Sequence, residues 1–199
     1  MKKLFVVYVL IVLSMSTVFG KKEIPKLPID SQTNKISYTE VVYVDSLTKK
    51  QELFSRAREW FAKTFNSSTN VIQMEDKESG KIIGKALIQV YHKGLVMTYK
   101  WGYINYTISV YIKDGRYKYE LTDFYHSGQS NTGMGMISAP DYGACEDMIN
   151  YKSTFGDPIA KNNILSSMIS QLNSNSIILV QNLKSAMTTK KMNTTNENW

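Results

Sequence analysis

From Ile104 to Tyr125 the residue types alternate with a period of two. Ile104, Tyr106, Ile108, Val110 and Ile112 are separated by Asn105, Thr107, Ser109 and Tyr111. A strand sends successive side chains to opposite faces, so the pattern requires one face in a core and one face partly wet. Lys113-Asp114-Gly115-Arg116 then supplies the Asp-Gly pair of a tight hairpin turn. Arg116 to Tyr125 returns with Tyr117, Tyr119 and Leu121 on one face. The chain must therefore build an antiparallel sheet whose apolar side is covered by another layer.

The flanking segments supply that layer. Ile36 to Val44 is rich in β-branched and aromatic residues and reads as a first strand. Asp45-Ser46-Leu47 turns, and Thr48 with Gln51 reads as a capping-box pair opening a helix that runs to about Phe65. Leu53, Ala57, Trp60, Phe61 and Thr64 recur at three- and four-residue steps as its apolar stripe, widened by Phe54 and Phe65; Lys49, Lys50, Glu52, Arg56, Glu59 and Lys63 fill much of the other side. Asn66-Ser67-Ser68 ends it in turn-forming residues. Val71 to Met74 is a short strand, Glu75 to Gly80 a charged hairpin tip, and Lys81 to Tyr91 a longer strand with Gly84 as a bulge or close-packing point. Leu95 to Lys100 extends it or forms a short strand of its own. Gly128, Gly133, Gly135, Pro140 and Gly143 make His126 to Phe155 read as an irregular loop, functional or mobile. Asp157 as cap and Pro158 in the first turn start a last helix, with Ile164, Leu165, Met168, Ile169 and Leu172 as its stripe and a kink or break expected at Asn173 to Ser176.

The expected fold is α+β: a two-layer sandwich of a mainly antiparallel sheet with two helices on one face, in the order β-α-β-β-β-β-α. The chain divides into a segment 1–20, a linker 21–35, one domain 36–187 and a polar tail 188–199. Within the domain, 36–125 is the core, 126–156 the glycine-rich loop and 157–187 the C-terminal helix.

Residues 1–20 read as a cleavable signal peptide. Met1-Lys2-Lys3 is basic, Leu4 to Leu13 is apolar, and Ser14 to Gly20 ends in small residues, with a cut expected after Gly20. A spanning helix needs about 20 apolar residues, and this run is shorter. No cysteine near the cut offers a lipid acceptor. The expected location is periplasmic or extracellular, with no membrane span after cleavage. The single cysteine, Cys145, excludes an intrachain disulfide, so stability comes from the core. Net charge is +7 from 24 basic and 17 acidic residues. Along the sequence the charges are scattered, and with an exported chain this argues against nucleic acid as a partner.

With the segments placed, Ile36 to Asp45, the run Lys49 to Phe61 with its Leu-Phe-x-Arg-Ala-x-x-Trp-Phe helix, and Asp76 with Gly80 to Ala86 form a familiar series. Tyr106 to Tyr117 and Leu121 to Phe124 continue it. The stretch Lys35 to Phe124 resembles the domain of unknown function 4468, a family with a TATA-binding-protein-like fold found mainly in exported proteins of Bacteroidetes. The resemblance implies a fold and carries no catalytic residues with it.

No chemical constellation stands out. His92 and His126 are far apart and lack metal-ligand spacing, so they read as exposed loop histidines and no metal or cofactor is expected. Cys145, His126 and Asp123 could form a thiol site, but Glu146 and Asp147 beside the thiol would raise its pKa; the alternative reading is a buried structural cysteine. The enrichment that remains is aromatic, and Tyr99, Trp101 and Tyr103 are the candidate ligand-binding residues. The function expected is a non-enzymatic binding or structural module of the cell envelope, with a protein, envelope component or small molecule as partner. The alternative is a cell-envelope hydrolase using the Cys145/His126 loop.

Overall fold

The hairpin around Asp114-Gly115 forms the middle of a six-stranded sheet. The computed structural model describes residues 24–65, 67–94, 96–129, 138–149 and 158–188. The strands are β1 (Tyr38–Tyr43), β2 (Ile72–Asp76), β3 (Lys81–Lys93), β4 (Thr98–Lys113), β5 (Arg116–Ser127) and β6 (Gly143–Ala144). The helices are α1 (Lys50–Thr64), α2 (Ser68–Val71), α3 (Cys145–Ile149) and α4 (Pro158–Thr188). The order across the sheet is β1-β5-β4-β3-β2, every pairing is antiparallel, and β6 pairs with β5. The fold is α+β, an antiparallel sheet with its long helices on one face, as the residue pattern requires.

Alternation decides which face is buried. Ile82, Ala86, Ile88 and Val90 of β3, Ile104 to Ile112 at every second position of β4, and Tyr117, Tyr119 and Leu121 of β5 face the core. The α1 residues Leu53, Ala57, Trp60 and Phe61 and the α4 residues Leu165, Met168, Leu172 and Leu183 cover them. Two irregularities break the phase. Between Asn105 and Thr107 the β4–β5 register slips around Asp123, which has φ 57°. Burial then resumes at Phe124 and His126 instead of at odd numbers. A second slip, between Val90 and Tyr91, sets Trp101 outside the pairing.

Several expectations are corrected. The α1 helix has no capping box: Lys49 is its N-cap without a side-chain bond. Thr48 is buried and its carbonyl accepts the Gly115 N–H at 2.9 Å, while Asp114 at the hairpin tip accepts the Lys50 N–H at 2.6 Å. A carboxylate from a distant turn thus serves one orphan amide and the positive end of the helix. Arg56 does not lie on the solvated side. It is buried, paired with Glu52, and its Nη1 donates to the Met187 carbonyl at 2.6 Å, capping the end of α4.

The α4 helix runs unbroken through Asn173 to Ser176. Asn173 accepts the Tyr38 hydroxyl at 2.9 Å, Asn175 donates back to the Gln171 carbonyl, and the Ser176 side chain is buried. The two asparagine side chains are occupied without disturbing the helix ladder. Residues 27–37 are ordered before the first strand: Ile29 bridges Ile36, Asp30 accepts the Gln32 and Thr33 amides, and Leu27 and Ile36 are buried. The glycine-rich stretch contains β6 and α3, which bury Cys145 and Met148. The expected signal at 1–20, the Asp157 cap and the tail beyond Thr188 lie outside the described residues. No described helix is long and apolar enough to cross a membrane.

Candidate functional site

The Cys145, His126 and Asp123 group does not assemble as a thiol site. His126 is fully buried on β5 rather than exposed in a loop. Its Nδ1 accepts the Tyr142 N–H at 3.4 Å, so Nε2 carries the proton and donates to the Trp101 carbonyl at 3.0 Å. Burial lowers its pKa, and the ring is held neutral between two main-chain groups. Burial, and then the Glu146 charge, push the Cys145 thiol up to about 12, and a main-chain contact from His126 opposes this. Asp123 is exposed and lies 3.8 Å from Lys35. A protonated thiol without a free imidazole is no nucleophile. Among the described residues no three of His, Cys, Asp and Glu gather as metal ligands.

A reactivity measurement checks this. In the native protein at pH 8, Cys145 should react with a disulfide reagent at least about 100-fold more slowly than after unfolding in urea. Equal rates would mean an accessible thiolate.

The three candidate aromatics do not share a surface. Trp101 is buried, edge-on to His92 at 5.1 Å between ring centroids. Tyr99 pairs with His92 and packs against the core. Tyr103 pairs with Gln89, a position of the opposite face. The slip in register beside Trp101 separates them, and a simple alternation count across Tyr99 to Tyr103 misses it.

The other sheet face carries a larger arrangement. Cross-strand register places Tyr43, Arg116 and Lys113 in one row, and Val41, Lys118, Tyr111 and Lys81 in the next. Further along come Thr39, Glu120, Ser109 and Ile83, then Thr122, Thr107 and Lys85, then Tyr125, Asn105 and Leu87. Apart from Ser109, these side chains are exposed or half-buried, and both long helices cover the opposite face. The basic residues that look scattered along the sequence therefore meet at one end of this face. Lys81 and Lys118 flank the Tyr111 ring at 5.3 and 5.9 Å, and Arg116 lies over Tyr43 at 6.0 Å. Val41, Tyr43, Tyr111, Lys113, Arg116 and Lys118 line a groove of about 500 Å³ here. Its acid, Glu120, is already paired with Lys118 at 2.5 Å. A second cleft, about 720 Å³, lies between the end of α1, the Ser67–Val71 turn, β3 and β4.

A model of the family described as a domain of unknown function (DUF4468) with TBP-like fold matches residues 38–127. The crystal structure of a DUF4468 family protein from Bacteroides ovatus is similar at a TM-score of 0.57 and 12% identity, covering 83% of this chain and 92% of that one. A TBP-like protein from Parabacteroides distasonis is similar at a TM-score of 0.51 and 15% identity, covering 79% of this chain and 97% of that one. At these identities the likeness is one of fold. None of the curated proteins matches the chain.

Proposed function

We propose that this chain, in which a model of the domain of unknown function (DUF4468) with TBP-like fold matches residues 38–127, is an exported, non-enzymatic binding or structural module of the cell envelope that meets its partner through the open sheet face. The observation that carries this reading is that face. It spans β1, β5, β4 and β3, is left uncovered by α1 and α4, and exposes Val41 and Tyr43 at one end and Leu87 and Tyr125 at the other. The burial of Cys145 and His126 speaks against the hydrolase alternative. Export rests on the basic, apolar and small-residue order of residues 1–20.

A photo-crosslinking amino acid at Leu87 or Tyr125, in the native host, should give discrete adducts. The same group at Ile178, exposed on α4, should not. Adducts from Ile178 alone, or from no position, would sink the reading. Fractionation should find the protein in the envelope with Lys21 as its N-terminal residue; a cytoplasmic chain retaining Met1 would remove the export part.

A further inference from the structure

We infer that the basic end of the open face, together with the outer edge of β1, takes an acidic, extended peptide segment of a partner protein as an added strand. The inference rests on the open face being the binding surface, and it names the occupant.

Three observations carry it. The first is the edge. β1 borders the sheet, and among the described residues no backbone hydrogen bond reaches its outer side between Thr39 and Tyr43. Edge strands are ordinarily protected by lysine, proline, a bulge or an inward-pointing charge. Tyr-Thr-Glu-Val-Val-Tyr has only the last of these. Its one charge, Glu40, is turned to the helix side and bonded to Lys184 and the Tyr119 hydroxyl. An unpaired main chain with Val41 and Tyr43 exposed offers a ladder to an incoming strand.

The second is charge. Lys113, Arg116, Lys118 and Lys81 stand on the open face within three strands of that edge, and Arg116 already reaches outward across Tyr43. In a strand added to β1, alternate side chains fall on this face. Acidic side chains there meet Arg116 and its neighbours, whereas a second copy of this chain would bring its own basic row.

The third is the pair of tyrosine rings, which hold the cations in place. Lys81 and Lys118 over Tyr111, and Arg116 over Tyr43, are set before a ligand arrives. The free main-chain edge is what selects a peptide over a polysaccharide or a nucleic acid. Those polyanions would use the cations and leave the β1 amides unpaired.

The test titrates a fluorescent peptide of four Glu-Val repeats against the full-length mature chain at 0.15 M salt, followed by anisotropy. Saturable binding is expected. Arg116→Glu or Lys118→Glu should weaken it at least tenfold, while Lys85→Glu at the far end of the face should change it less than twofold. All three substitutions alter exposed or half-exposed groups, and an unchanged thermal midpoint verifies folding. The same peptide N-methylated at alternate residues should also bind at least tenfold more weakly in one of its two registers. Absence of saturable binding, self-association through β1, or equal binding of the N-methylated peptides, polygalacturonate and single-stranded DNA would each overturn the inference. Crosslinks from Leu87 without peptide binding would leave the open-face reading standing and remove only this occupant.

Discussion

Gly102→Ala should cost the protein about 4 kcal/mol of stability, read as a fall in the urea midpoint at constant slope. Gly102 has φ 112°, a conformation that L side chains rarely adopt. It lies in β4 at the register slip beside Trp101, opposite Val90. A methyl group there would collide with the Ser127 carbonyl and come within 2.9 Å of Gly128 Cα and His126 Nε2. Two of those neighbours are backbone, and the third is a ring fixed at both nitrogens, so none can move cheaply. Gly143→Ala separates the two causes. Gly143 also has positive φ, 77°, but a Cβ there would meet nothing within 4 Å. It should lose only the conformational part, about 1 kcal/mol. Equal losses at the two sites would show that crowding around His126 contributes nothing.

The same corner marks how far the residues can be read without coordinates. Alternation from Ile104 to Ile112 translates directly into a buried and an open face, because period two is a local property of a strand. The Asp114-Gly115 turn is equally local. What is lost is whatever depends on a slip in register. Nothing in Leu121-Thr122-Asp123-Phe124 announces that Asp123 takes a left-handed conformation and moves burial from odd to even positions. The aromatic trio at Tyr99, Trp101 and Tyr103 is split between faces for the same reason. A glycine between two aromatics, inside an otherwise regular strand, was the available signal.

Long-range partners explain the other differences. Arg56 reads as surface by helical period, yet the Met187 carbonyl that makes its burial tolerable lies 131 residues away. Leu53, Phe54, Arg56, Ala57, Trp60 and Phe61, the heart of the family-like helix motif, are all buried. That motif therefore marks packing and a helix cap, which is why it identifies a fold and says nothing of a ligand. The basic end of the open face is the converse case. Lys81 and Lys118 stand far apart in sequence, and only the β3–β4–β5 register sets them on either side of Tyr111.

Phe61→Ala is expected to cost about 3–5 kcal/mol, enough to consume much of a small domain's stability. Phe61 is fully buried, with its ring edge-on to Trp60 at 5.0 Å and tilted against Phe65 at 5.7 Å. It fills the space that Gly84 leaves open: a Cβ on Gly84 would stand 2.8 Å from Phe61 Cε1 and 3.1 Å from Val71 Cγ1. Helix and sheet approach this closely because one side chain is large and the facing one is absent. Gly84→Ala alone should therefore lose about 1–3 kcal/mol by overpacking. In a Phe61→Leu background the ring atom responsible is gone, and the added methyl group should cost less. The Val71 contact remains, so relief should be incomplete. A double-mutant cycle should give a coupling of at least about 0.5 kcal/mol in the direction of compensation. Strict additivity would mean that Phe61 and Gly84 do not set the spacing between α1 and β3, and that the Val71 contact alone penalises the methyl group.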